Sequence, residues 1–159
     1  MAHKKPTPGR RESGHAVIEV ALLAPWIFFL FVGVLDFGFF AYAAIATENA
    51  ARVAALYTSN SPEVAGDDTI ACQYALGELR ALPNVGSTVT TCVVSKGGIT
   101  STQPVAVDAI AIAAVDSVDG APASRVDVTY QSLPMIPIPG LMMKQYTLTR
   151  FVEMRVRED

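Results

Sequence analysis

Hydrophobic and polar positions divide this chain into three regimes. Met1 to Ser13 is polar and basic, broken by Pro6, Pro8 and Gly9, with no periodicity and nothing to bury; it is expected to be disordered. Gly14 ends that stretch. Val20 to Leu35 is then an uninterrupted run of 16 uncharged, mostly bulky apolar residues, and after Asp36 the apolar character resumes through Ala46. As a helix, Val20 to Asp36 spans about 24 Å and the whole run to Ala46 about 39 Å. A hydrocarbon core is about 30 Å thick, so the pattern predicts a membrane-crossing helix. Thr47 to Leu56 carries it further, because Ala50, Ala51, Ala54 and Ala55 are strong helix formers. Glu48 and Arg52 form an i,i+4 pair of favourable orientation. The predicted helix therefore runs from His15 to Tyr57, with a kink expected at Pro25 and soft points at Gly33 and Gly38.

The third regime is shorter in period. Ser59 to Pro62 breaks the chain, and Asp67 and Asp68 read as an N-cap for a helix over Thr69–Leu82, stopped by Pro83 and Asn84. Ser87–Val94, rich in Val and Thr, is expected to be a strand turned by Lys96, Gly97 and Gly98. Val105–Val115 reads as a second strand, followed by a hairpin turn signal at Asp119-Gly120. Arg125–Tyr130 alternates Val126 and Val128 with Asp127 and Thr129, and Gln145–Val156 alternates likewise. Between them Leu133 to Met143 is a proline-studded apolar loop, either a partner surface or a flap over the sheet. The fold class is α+β: a long N-terminal transmembrane helix, then a small domain of one helix and about four antiparallel strands. The boundaries are 1–14 for the basic leader, 15–57 for the long helix and 58–159 for the α+β domain.

Composition sharpens the membrane reading. Apolar residues make up 51% of the 159 and charged residues 17%, with a net charge of −3. The first fourteen residues hold four basic side chains against one acidic, whereas the remainder holds 8 basic against 14 acidic. A basic tip before an apolar run places the tip in the cytoplasm and the acidic body outside it. That acidic body would repel phosphates, so nucleic acid is not an expected partner. The only two cysteines, Cys72 and Cys92, lie beyond the apolar run. In an oxidising compartment they read as one disulfide, closing a loop of about 20 residues and stabilising the fold by roughly 3 kcal/mol. No metal or cofactor is expected, because both histidines, His3 and His15, sit near the N-terminus.

The chemistry concentrates at the start of the long helix. Gly14 lies at the junction of basic head and apolar run, and counting from His15, Glu19 is the fifth residue. This arrangement resembles prepilin precursors, which a membrane peptidase cuts behind the glycine on the cytoplasmic face. The stretch from Gly14 through Glu19 to Pro25, then Gly33-Val-Leu-Asp36-Phe-Gly38 and Asn49-Ala-Ala-Arg52, resembles the TadE-like pseudopilins of tight-adherence (Flp-type) pilus systems. An ending of the form Thr149-Arg150-Phe-Val-Glu153-Met-Arg155-Val fits the same family. The resemblance implies leader cleavage between Gly14 and His15, and pairing of the Glu19 carboxylate with the new α-amino group of a neighbouring subunit. It implies as partners the membrane, a prepilin peptidase, other pilin or pseudopilin subunits and an inner-membrane assembly platform, with no small-molecule substrate. Val20 stands where major pilins of such systems commonly have tyrosine, which favours a minor or pseudopilin role. Asp36 is either a second assembly contact or the polar residue that ends the hydrocarbon span.

Two bland alternatives place the same domain outside the cytoplasm. Ala41-Tyr42-Ala43 is an A-x-A site of the kind a signal peptidase cuts, but a signal core runs to about 7–15 residues and this run is longer. An uncleaved single-span anchor, serving a binding module, is the other. An enzyme is not expected: the chain lacks nucleophile-elbow, P-loop and dinucleotide motifs, and Asp108, Asp116, Asp119 and Asp127 fall in turn or exposed-strand positions, where carboxylates are normally solvated.

Overall fold

The computed structural model describes residues 12–100, 102–117, 119–133 and 145–157, with side chains from His15 onward. The chain divides into two compact units, one ending at Gly38 and the other beginning at Phe39. Helix α1, Glu12–Thr58, belongs to both. It starts three residues earlier than the sequence suggests and continues through Pro25 without a break in helical backbone. Proline supplies no amide to the turn before it, so the Ala21 carbonyl loses its intrahelical donor.

In the first unit the described side chains are exposed, including Trp26, Phe28, Phe29 and Phe31, with Val32, Gly33 and Asp36 as the exceptions. Such a surface is insoluble in water and matches lipid. Among the described residues α1 is the one helix long and apolar enough to cross a membrane.

The second unit packs two helices on one face of a sheet. Helix α2, Asp68–Leu79, is capped by Asp67, whose Oδ1 accepts hydrogen bonds from the amides of Thr69 at 2.8 Å and Ile70 at 3.2 Å. That cap satisfies two of the orphan donors of a helix N-terminus. Ala50, Ala51, Ala54 and Ala55 of α1 are fully buried and share one core cluster with Ala71, Ala75 and Leu79 of α2. Between the same two helices Tyr57 stacks on Tyr74 with ring centroids 3.5 Å apart. The predicted Glu48–Arg52 pair forms at 3.3 Å on the exposed face.

Strands β1 (Val105–Ile112), β2 (Ala123–Gln131) and β3 (Thr147–Arg155) form an antiparallel sheet in that order. Register places Val105, Val107 and Ala109 opposite Tyr130, Val128 and Val126, so alternate residues of both strands point into the helix-covered core. Central strand β2 is buried on both faces, and here the alternation misleads: Asp127 and Thr129 are buried. Asp127 takes two bonds from Arg125, from Nε at 3.2 Å and Nη2 at 3.3 Å, and the guanidinium lies over the Phe151 ring at 4.3 Å.

Two expected elements take another form. Ser87–Val94 is not a strand; only Val93 bridges to β1, parallel, at Ala106. Successive turns bind Val85 to Leu82 and Val89 to Val85, burying both valines instead. Asp119-Gly120 is not a two-residue hairpin, since Ile112 pairs with Ala123 and the connector runs from Ala113 to Pro122. Gly120 does turn with a positive φ of 67°. The apolar proline loop lies outside the described residues apart from Leu133.

Candidate functional site

The N-terminal site residues all lie on α1. Gly14 and His15 fall in its first turn, so the peptide between them is helical. Glu19 sits one turn on, exposed among Val17, Ile18, Val20 and Leu22, which are 58–69% exposed. Among the described residues it has no hydrogen bond or ion pair. An unpaired charge at the centre of a membrane-crossing helix costs about 2.5–3.5 kcal/mol, whereas Glu19 stands at the edge of the apolar run.

Asp36 is placed differently. It is 5% exposed while Leu35 and Phe37 beside it are 50% and 70% exposed, and its Oδ2 has no hydrogen-bond partner among the described residues. It does not lie on the same exposed stripe as Glu19, and the two carboxylates do not form one site.

The second unit holds the cysteine pair. Cys72 on α2 and Cys92 on the segment after it are bonded, with their Cα atoms 5.7 Å apart. Both are half-buried beside an open groove lined by Asp68, Thr69, Gln73, Arg80, Thr90 and Thr91. A polar pair that the sequence does not announce sits deeper. The Tyr130 hydroxyl donates to Asn84 Oδ1 at 2.5 Å, and Asn84 Nδ2 donates to the Gln131 carbonyl at 2.8 Å. Burial pushes the Tyr130 phenol up from 10.0 to about 12, against the smaller opposing effect of the Asn84 bond. Among the described residues no cluster of His, Cys, Asp and Glu is arranged to hold a metal ion.

Residues 14–56 match the family model for TadE-like protein. No curated protein and no solved structure gives a significant match. The matched segment is nearly coextensive with α1 and contains Gly14, Glu19 and Asp36. The match is consistent with a TadE-like protein of Tad pilus systems, and the helix fits a single-pass membrane protein.

Proposed function

We propose that this chain, TadE-like over residues 14–56, is a minor pilin or pseudopilin subunit that is cut behind Gly14 and built into a Tad-type pilus or secretion machine through α1. The observation that carries the reading is the coincidence of that match with a helix that leaves its bulky apolar side chains bare. In lipid those side chains are solvated; in a filament they pack against the same helix of neighbouring subunits. Extraction from lipid exchanges one apolar environment for another, so packing and polar pairing decide the equilibrium. Glu19, exposed and unpartnered among the described residues, is the polar group available for that decision. The α-amino group exposed at His15 of a neighbour supplies the cation, and a pair in a low-dielectric bundle fixes the register.

The remaining roles follow from this reading. The basic leader stays cytoplasmic, the inner membrane holds α1, and the Phe39–Asp159 unit lies on the outer side. A prepilin peptidase must unwind the first helical turn to reach the Gly14–His15 peptide, which glycine at that position makes easier. The role is structural, with no reaction catalysed by the chain.

Mass spectrometry of the membrane-fraction protein tests this directly. A first residue at His15, lost in Gly14→Val, is the expected result. A start at Met1 or Ala2 would leave a plain anchor, and one at Ala44 a secreted domain. Glu19→Ala is expected to be cleaved normally yet to enter filaments poorly; normal incorporation would sink the pairing role.

A further inference from the structure

The segment between α2 and β1 is fastened in two different ways. Up to Val89 it is held by buried side chains, Leu82, Val85 and Val89, and by the Asn84 bonds to β2. From Thr90 to Gln103 no described side chain is buried. Among the described residues this strap meets the rest of the domain at the Cys72–Cys92 bond, at the Lys96–Gly98 turn, which lies against β1, and at Val93, whose amide donates to Val105 O at 3.0 Å and whose carbonyl accepts from Val107 N at 2.9 Å. Its other bonds, such as Gln103 Nε2 to Thr91 Oγ1 at 3.3 Å, are internal. The strap folds tightly on itself, since a Cβ at Gly98 would run into Val93 Cγ1.

What the strap covers is the outer edge of β1. That edge is closed at three points, each by different means. Val93 takes the Val107 amide; Asp68 Oδ1 takes the Ala109 amide at 2.7 Å; and Gly66, with a φ of 81°, comes so close that an added Cβ would lie 3.0 Å from Ala111 N. Asp68 and Gly66 precede or begin α2 and do not depend on the strap. Only the Val105–Val107 stretch does. An uncovered edge offers unpaired amides and carbonyls to any extended chain.

We propose that the strap Thr90–Gln103 is a redox-set cover, whose Cys72–Cys92 latch decides whether the β1 edge at Val105–Val107 is open or closed. With both thiols reduced, the two Val93 backbone hydrogen bonds and the Lys96–Gly98 turn lying beside β1 fasten the strap there among the described residues, and the edge is available for strand pairing. The groove along α2 admits the reagent that closes it, a protein or small molecule carrying an exchangeable disulfide. One cysteine thiolate attacks that disulfide, forming a mixed disulfide and releasing one donor thiol. The second cysteine thiolate then displaces the other donor sulfur, so the chain is oxidised by two electrons, the donor disulfide is reduced to two thiol groups, and both cysteine protons end on those sulfurs. The edge is thus open to a pairing partner only until oxidation.

Hydrogen exchange of the full chain in detergent, oxidised and after dithiothreitol, tests the latch, with free-thiol labelling to confirm reduction. The Cys72→Ser/Cys92→Ser double variant repeats the comparison without reductant. The expected result is loss of protection confined to the strap and Val107, with Ala109 and the β2–β3 ladder unchanged. Retained protection at Val93 and Val107 would show that the hydrogen bonds suffice and overturn the proposal. Loss of protection across β2 and β3 would make the bond a staple of the whole domain, and a bond that resists dithiothreitol would remove the access through the groove; either result also overturns it.

Discussion

The two stretches of α1 reach the same apolar composition and opposite packing solutions. Before Gly38 the side chains are large and bare: Trp26 is 74% exposed, and Phe28 63%. After Phe39 the face turned inward carries Ala43, Ala50, Ala51, Ala54 and Ala55, each fully buried. Bulk suits a helix whose surroundings are fluid, because lipid conforms to any side-chain shape. Smallness suits a helix with a fixed neighbour, because close backbone approach brings many atoms into contact at low entropic cost. Apolarity alone therefore says little about where a helix segment belongs, whereas side-chain volume on one face separates the two cases.

A charge in the first stretch should break the comparison most strongly. Ile27, 63% exposed, lies near the middle of the apolar run. Ile27→Arg should cost about 2.5–3.5 kcal/mol of membrane insertion, while the melting of the Phe39–Asp159 unit stays unchanged. Recovery in the carbonate-washed membrane pellet reads the first quantity and calorimetry in detergent the second. A fall in melting temperature would show that the units are not independent. The reverse experiment enlarges a small residue. Ala54→Leu should destabilise the second unit by about 1–3 kcal/mol through overpacking and leave membrane recovery intact. A neutral outcome would mean that the alanine face has slack, and that its alanines serve only helicity.

How much of this was legible follows from the range of each interaction. The long helix, the Asp67 cap and the pairing of Cys72 with Cys92 are local or nearly forced, so periodicity, cap chemistry and cysteine count suffice for them. Strands β2 and β3 are legible from alternation. Ser87–Val94 has strand-like residues, but a strand needs a partner along its length; burial of Val85 and Val89 draws the chain into turns and leaves Val93 alone on β1. Asp127 looks solvated because alternation reports one face, while a central strand is covered on both. Gly14 and Glu19 stand out by their spacing. The burial of Asp36 does not, since its neighbours in sequence are exposed. The Tyr130–Asn84 bond joins residues 46 apart, and nothing near either one signals it.

That bond gives the smallest expected effect, and one specific to the second unit. Tyr130 is fully buried and its phenol is pushed up from 10.0 to about 12. An acid whose folded value is raised binds its proton more tightly when folded, so the stabilising contribution is complete below pH 10 and declines as pH rises through 12. The melting temperature of the Phe39–Asp159 unit should accordingly fall across that window. Tyr130→Phe should cost about 1 kcal/mol at neutral pH, because Asn84 Oδ1 loses its donor, and should flatten the alkaline decline. A decline that persists unaltered in the phenylalanine variant would place its origin in another group. Membrane recovery should be indifferent to the substitution, because the phenol lies in the core of the second unit and not in the stretch whose bulky apolar side chains are bare.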